Sequence, residues 1–399
     1  MKGLILLGEP QCWDFEHAGV NASLIGTALL AYPGSRILFL AEESHIGRVR
    51  ELLETEVHPE GPPLAWKSIL IPPRRARTFR RLGREWSALR RILTTAAREG
   101  ASVIIITSAS ELGFFFLKIL LAFSTRRVPV VAVLHGVLAT LVPGAPRKRW
   151  GALRGMRLVF RLPHPTQLSY LAFGPSILRS LAEIQPTAAR HTIAIELPCS
   201  WSVHSMPSLP RARPEPVCFG YFGVSGGRGK GFDRFVRLAE EIRARRTGAD
   251  FTMVGHLSSQ EDRIRFGPLF PNAPATPLSH AAYGERAAQL TYAVSITDPE
   301  VYRIVASTAF LDALSFVKPG IYLRNLYIEE CFRQMGDIGF LCDSVDEIRE
   351  CMIAILDEFP VARYASQCGT IFRMRRLFEP AVIAPSFRAA IEQRQTRYA

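Results

Sequence analysis

Residues 218 to 237 read CFGYFGVSGGRGKGFDRFVR. A short apolar run, Val217 to Phe222, meets Gly223, Gly226, Gly227, Gly229 and Gly231, with Arg228 and Lys230 set among the glycines and a helical pattern directly after. Strand, basic glycine loop and helix together make an anion site, because free backbone N–H groups and fixed cations converge at a helix N-terminus. Two well-known phosphate loops are excluded. A Walker A loop needs a glycine at Val224 and a hydroxyl after Lys230, where Gly231 stands. The dinucleotide pattern G-x-G-x-x-G fails at Phe232. What remains suits a diphosphate as well as it suits an ordinary solvated turn.

The second concentration of charge lies in residues 74 to 98, RRARTFRRLGREWSALRRILTTAAR, with nine arginines and one acid. Phe79, Leu82, Trp86, Leu89 and Leu93 recur at 3-4-3-4 spacing and predict one apolar stripe on a helix, docked on a core. Arg77, Arg80, Arg81, Arg84, Arg91 and Arg98 fall on the opposite face. Such a face fits an anionic membrane surface, to which Arg147-Lys148-Arg149-Trp150 would add. Nucleic acid is the rival partner, but no RNP, helix-turn-helix or zinc pattern supports it, and none is expected. The charge of the whole chain is lopsided in the same sense. Its formal net charge is +13, with 25 Lys+Arg against 14 Asp+Glu through residue 205 and 24 against 22 beyond it.

Around these residues the sequence sets out the elements that must hold them. With 399 residues and 48% apolar side chains, the chain can bury two or three cores. Strand-like runs at Leu4–Leu7, Ile37–Leu40, Val103–Ile106, Val130–Leu134 and Ile193–Leu197 alternate with helical segments such as Asn21–Ala31 and Leu112–Phe123. This βαβα order predicts a parallel sheet covered on both faces. Residues 198 to 216 carry five prolines and read as a linker. The pattern then restarts, with strands at Val217–Phe222, Phe251–Val254, Ala293–Ile296, Gly320–Leu323 and Gly339–Leu341 and helices at Phe232–Arg245 and Ala309–Phe316. The glycine loop therefore opens a second α/β domain, on its first strand. Ligands of open α/β sheets bind at the carboxyl ends of strands. The N-terminal run has too short an apolar core for a signal peptide. Leu112–Phe123 is twelve residues long and contains Lys118, against the ~20 a bilayer span needs. Seven cysteines without zinc spacing read as reduced thiols of a cytosolic protein.

The ordered pieces of the second half resemble the donor domain of GT-B glycosyltransferases, above all the large retaining nucleotide-sugar family (glycosyl transferases group 1). They are GRGKGFDRFVRLAEEI, DFTMVGH at 250–256, LSHAAYGERAAQLTYAVSIT at 278–297, ASTAFLDALSFVKPGI at 306–321 and GDIGFLCDSVDEI at 336–348. In the first half, VPVVAVLHG at 128–136 resembles that family's P-x-V-x-T-x-H strand. The segment from Phe173 to Ser176 is similar to the start of a family helix, and Ile193–Pro198 to its last N-domain strand. The resemblance implies two Rossmann-like domains facing a cleft. Residues 1–205 would bind acceptor, 206–380 would bind donor, and 381–399 would form a helix crossing back to the first domain.

Carried over position by position, Gly223, Arg228 and Lys230 would grip the donor diphosphate. Ser307 and Thr308 would hold its distal phosphate, and Asp312 the ribose hydroxyls. His135 would face the donor sugar. Inverting GT-B enzymes often place a general base in the first loop, and on that pattern His17 would deprotonate an acceptor hydroxyl, with Asp14 or Glu16 to orient it. Eight residues before Asp312 the family has a sugar-reading glutamate; here the residue is Ile304. Asp298-Pro299-Glu300 has D-x-E spacing but reads as a turn, and no metal or other cofactor is expected beyond the nucleotide sugar. The implied protein is a cytoplasmic glycosyltransferase, peripheral on the inner face of the cell membrane. It would move a sugar, with a retaining outcome favoured over an inverting one, to a glycan or lipid-linked acceptor in bacterial surface polysaccharide synthesis. A sugar-nucleotide epimerase and a non-catalytic scaffold that binds membrane or a partner enzyme remain open alternatives.

Overall fold

The structure is a computed structural model describing residues 3–56, 64–71, 78–125, 127–142, 155–201, 204–209, 212–227 and 229–395. Two units share the chain: Met1–Ser200 with Ile304–Ala306 and Leu377–Ala399, and Trp201–Arg303 with Ser307–Arg376.

The first unit is built on seven strands, β1 (Leu4–Gly8), β2 (Arg36–Ala41), β3 (Leu64–Ser68), β4 (Ala101–Ile106), β5 (Val130–Val133), β6 (Leu168–Phe173) and β7 (Thr192–Ile195). They pair in the order β3-β2-β1-β4-β5-β6-β7, every pair parallel. Helices α1 (Ala18–Ala31), α2 (Glu43–Glu56), α3 (Thr78–Glu99), α4 (Glu111–Ala122), α5 (Met156–Arg161), α6 (Pro175–Ile184) and α7 (Pro186–Ala189) connect them. Strand sequences such as LILLG and LSYLAF are buried along their whole length, as expected of a parallel sheet covered on both faces.

The second unit repeats the plan with five parallel strands in the order β12-β11-β10-β8-β9. These are β8 (Val217–Phe222), β9 (Ala249–Val254), β10 (Tyr292–Ser295), β11 (Gly320–Leu323) and β12 (Gly339–Cys342). Its helices are α8 (Phe232–Arg245), α9 (Gln260–Phe266), α10 (His280–Gln289), α11 (Pro299–Tyr302), α12 (Thr308–Ser315), α13 (Leu326–Met335), α14 (Val345–Asp357) and α15 (Val361–Met374). The last helix, α16 (Pro380–Gln395), belongs to the first unit and packs on α1. Its Ile383, Ala384, Phe387 and Ile391 form one buried stripe, and Arg388 lies over the Tyr32 ring at 5.8 Å. This cover is why α1, uncharged and mostly apolar, is buried on nearly every side.

Helix α3 docks on the core through a different face from the stripe its sequence predicts. Leu89 is fully buried, but Trp86 and Leu93 are only half-buried, and the buried line runs through Glu85, Ala88, Leu89, Ile92 and Ala96. The side chains of Phe79 and Leu82 lie outside the described residues. The rotation has a polar cause. Glu85, the single acid of the basic segment, accepts from Ser110 N (2.9 Å) and Ser110 Oγ (2.6 Å) at the start of α4. Small Ala88 and Ala96 let α3 settle around that contact.

Among the described residues no helix is long and apolar enough to cross a membrane. None of the seven cysteines is in a disulfide.

Candidate functional site

In the second unit the glycine loop leaves β8 at the carboxyl edge of the sheet. Its fold is dictated by how closely backbone approaches backbone. At Gly255, just past β9, φ is +146° and a Cβ would lie 1.9 Å from the Gly223 carbonyl oxygen. At Gly231, φ is +78° and a Cβ would lie 2.0 Å from the Ile296 carbonyl. Only glycine fits either place. The loop is thus pressed onto the ends of β9 and β10, and Asp298 N donates to Gly229 O at 2.7 Å. Side chains fasten it from below. Ser225 Oγ (2.6 Å) and Ser258 Oγ (2.9 Å) donate to Asp262. Burial works against the Asp262 charge, but bonds from Ser225, Ser258 and Ser259 outweigh it and hold the carboxyl below its usual range.

The loop delivers its backbone to the N-terminus of α8, where Gly231 is the cap. Lys230 is partly exposed beside it. Burial first, and the Lys230 charge second, hold the nearby His256 imidazole below its ordinary pKa. Arg228, its expected companion, lies outside the described residues.

Helix α12 also starts at this edge, after β10. Ser307 is buried and caps it, accepting from Phe310 N at 3.2 Å, while Thr308 is exposed. One turn on, Asp312 accepts from the Tyr283 hydroxyl at 2.9 Å. Burial pushes the Asp312 carboxyl up to about 6, and the Tyr283 bond only partly offsets this. Ile304, in the place of the expected sugar-reading glutamate, is 1% exposed. Asp298 spends its carboxylate capping α11, accepting from Glu300 N and Val301 N, and Glu300 pairs with Arg303 at the surface. Lys318 is buried and donates to Ala288 O and Leu290 O at the end of α10, so it ties helix to strand.

In the first unit the loops after β1 and β5 bring both candidate histidines together. The rings of His17 and His135 lie edge to face with centroids 5.1 Å apart, and His135 also abuts Phe173 at 5.6 Å. Burial pushes the His135 pKa down to about 4, so its imidazole is neutral across the physiological range. Asp14 and His17 both have left-handed backbones, with φ 53° and 55°. The Asp14 carboxylate pairs with Arg48 at 3.2 Å, and Glu16 accepts from Trp13 N.

Sequence reading missed the residues beneath this loop. Glu9, Asn21 and His45 are all buried polar side chains. Glu9 follows a strand end, before Pro10, which was the only available signal.

On α3, Arg91 and Arg98 are exposed and Arg84 is half-buried. Arg77 and the side chains of Arg80 and Arg81 lie outside the described residues, as does the 147–150 cluster. Among the described residues no group of three His, Cys, Asp or Glu side chains is placed to hold a metal ion.

No protein-family model matches the sequence, and no curated protein matches it. Solved structures do. Sucrose-phosphate synthase from Thermosynechococcus elongatus superposes with a TM-score of 0.66 at 13% identity, covering all of both chains. Anabaena HepE, solved with UDP and glucose, gives 0.64 at 15%, covering 98% of this chain and all of its own. These and the lipopolysaccharide outer core galactosyltransferase WaaB (0.59, 14%, covering 98% and 99%) are GT-B structures. The chain has the GT-B fold. In GT-B terms the seven-stranded unit is the N-terminal domain and the five-stranded unit the C-terminal one, each a parallel sheet flanked by helices.

Proposed function

We propose that this GT-B protein is a glycosyltransferase that takes a nucleotide diphosphate sugar as donor. The observation that carries the reading is the glycine loop of the second unit. It is packed against two strand ends by glycines nothing else could replace, it opens onto a helix N-terminus, and it carries Lys230. As the glycosyl bond breaks, the leaving diphosphate gains charge, and fixed dipoles and cations stabilise that charge more than the ground state. Arg228 would join Lys230 on the diphosphate, Ser307 and Thr308 would bind the distal phosphate at the start of α12, and Asp312 would accept from ribose hydroxyls. His135, neutral at physiological pH, would hydrogen-bond the donor sugar, and His17 would take the proton of the acceptor hydroxyl. The likeness to HepE, whose structures hold UDP and UDP-glucose, supports a uridine nucleotide as the first donor to try.

The acceptor side of the reading rests on charge. Exposed Arg91 and Arg98 on a helix of a +13 protein favour an anionic membrane surface, hence a lipid-linked or surface glycan acceptor on the cytoplasmic face. The resemblance of the donor-domain motifs favours a retaining outcome, and an inverting outcome is the case in which His17 would act as the base. The test is thermal shift with UDP- and GDP-sugars. Stabilisation that Lys230→Ala abolishes supports the reading, and no shift with any nucleotide sugar overturns it. The burial of Ile304 favours a second reading, a nucleotide-binding scaffold without turnover. Tight binding with neither transfer nor hydrolysis would select it.

A further inference from the structure

Glu9 is wholly buried, yet it accepts five hydrogen bonds. Oε1 receives Gln11 N (2.9 Å), Cys12 N (3.0 Å) and Ser108 Oγ (2.6 Å). Oε2 receives Thr107 Oγ1 (2.8 Å) and Asn21 Nδ2 (3.2 Å). A buried carboxylate is costly unless its lone pairs are filled, and here the loop after β1, the loop after β4 and helix α1 all fill them.

The network continues outward. Asn21 Nδ2 has two protons. One goes to Glu9 and the other to His45 Nε2, 2.8 Å away. His45 must then accept at Nε2 and carry its proton on Nδ1, which lies 2.7 Å from the Asp14 carbonyl. The chain of bonds therefore runs from Glu9 through Asn21 and His45 to the backbone of Asp14, three residues before His17. Left-handed conformations at two non-glycine residues cost on the order of 1 kcal/mol each, and they persist only where surroundings over-determine them. The His45 bond to the Asp14 carbonyl bears directly on the first of the two.

We propose that Glu9 is a positioning residue: its carboxylate, acting through Asn21 and His45, holds the loop from Gln11 to His17 in the conformation that sets His17 against His135. The inference rests on the transferase reading for its purpose, since it names what aligns the candidate base, but its geometry can be tested without turnover.

The experiment uses the full chain with nitrogen-15-labelled histidine, His17 and His135 being assigned from His17→Gln and His135→Gln. Glu9→Gln keeps the shape but turns an amide N–H₂ toward donors. Glu85→Gln is the control, since Glu85 is also a buried carboxylate of this unit but ties α3 to Ser110 at the start of α4, outside the Glu9–Asn21–His45 chain of bonds. Asn21→Ala cuts the relay and serves if Glu9→Gln does not fold. In wild type, His135 stays neutral to about pH 4. In Glu9→Gln and Asn21→Ala its titration moves up by about one pH unit or more as its cover loosens, and the His17–His135 cross-peak weakens. Glu85→Gln changes neither. With a donor that the wild type turns over, Glu9→Gln lowers kcat about 10–100-fold and leaves the donor KM within about twofold. If both relay variants lose stability as Glu85→Gln does, yet leave the His135 titration and the cross-peak unchanged, Glu9 is a structural acid only and the proposal is overturned. A wild type that binds no nucleotide sugar overturns the transferase reading instead, and the histidine spectra still decide the role of Glu9.

Discussion

Asp312→Asn should make the protein more stable and a worse binder of its donor at the same time. The wild-type carboxyl is held at about 6 by burial, against an ordinary value of 3.8. Between those values the folded state keeps a proton that the unfolded state has released. Stability therefore falls as pH rises from 3.8 to about 6, and above 6 the full penalty remains. At ~1.36 kcal/mol per pH unit, the distance between the two values amounts to a penalty of ~3 kcal/mol at about pH 7.5. Asparagine cannot ionise, so it escapes the penalty, and its Oδ1 still accepts from the Tyr283 hydroxyl. The raised value already includes the Tyr283 bond, so nothing further is subtracted. A gain of ~3 kcal/mol raises Tm by ~6–12 °C for a unit of this size. If Asp312 holds ribose hydroxyls, the same change weakens donor binding ~10–100-fold. Thermal melts at about pH 4.5 and 7.5, with and without UDP-glucose, read both effects. The gap between variant and wild type should be large at the higher pH and shrink towards zero near pH ~4. A variant destabilised equally at both pH values would refute the electrostatic account, and unchanged UDP-glucose affinity would remove Asp312 from the donor site.

Wild-type donor affinity should itself decline as pH falls through about 6, followed by calorimetry, because Asp312 then takes up a proton, whereas His135 contributes nothing until about pH 4. Gly231→Ala forces a Cβ into the Ile296 carbonyl at a left-handed position, so it should cost ~1–3 kcal/mol in denaturant melts and abolish nucleotide-dependent stabilisation. Lys318→Met leaves the Ala288 and Leu290 carbonyls without their ammonium donor and should cost ~1–3 kcal/mol in the same melts. Phe387→Ala empties the centre of the α16 stripe and should cost ~3–5 kcal/mol, with α1 amides losing hydrogen-exchange protection.

The legible parts of the fold were those in which local sequence carries the whole signal. Val217–Phe222, Phe232–Arg245 and Gly320–Leu323 have the bounds their apolar runs and glycines predict. Strand β3, LAWKS, gave no such run, because an edge strand that is half-exposed along most of its length needs no continuous apolar stretch. Strand β6 was hidden by Ser169 and Tyr170, although Tyr170 is buried among Phe114, Phe160 and His164. On α3 periodicity found a helix but the wrong face, because it counts Glu85 as surface. At the site, the sequence marks His17 and His135 separately. Their contact was invisible, since it depends on two residues far apart in the chain meeting across adjacent loops.

The two candidate sites differ in what makes them. In the second unit the proposed anion site is mostly backbone: N–H groups at two helix starts, with glycines where strand ends crowd the loop. Such a site fixes few side chains, so it leaves its trace as glycine spacing beside a short apolar run, and a sequence far from its structural relatives can still display it. In the first unit the proposed support of the candidate base is a buried network whose members, Glu9, Asn21, His45, Thr107 and Ser108, lie on four separate segments. Each is an ordinary polar residue in its local context, and only the fold makes them a unit. A substitution in the glycine loop should therefore act locally on nucleotide binding. A substitution in the network should act at a distance, on the orientation of His17, while leaving nucleotide binding by the other unit intact.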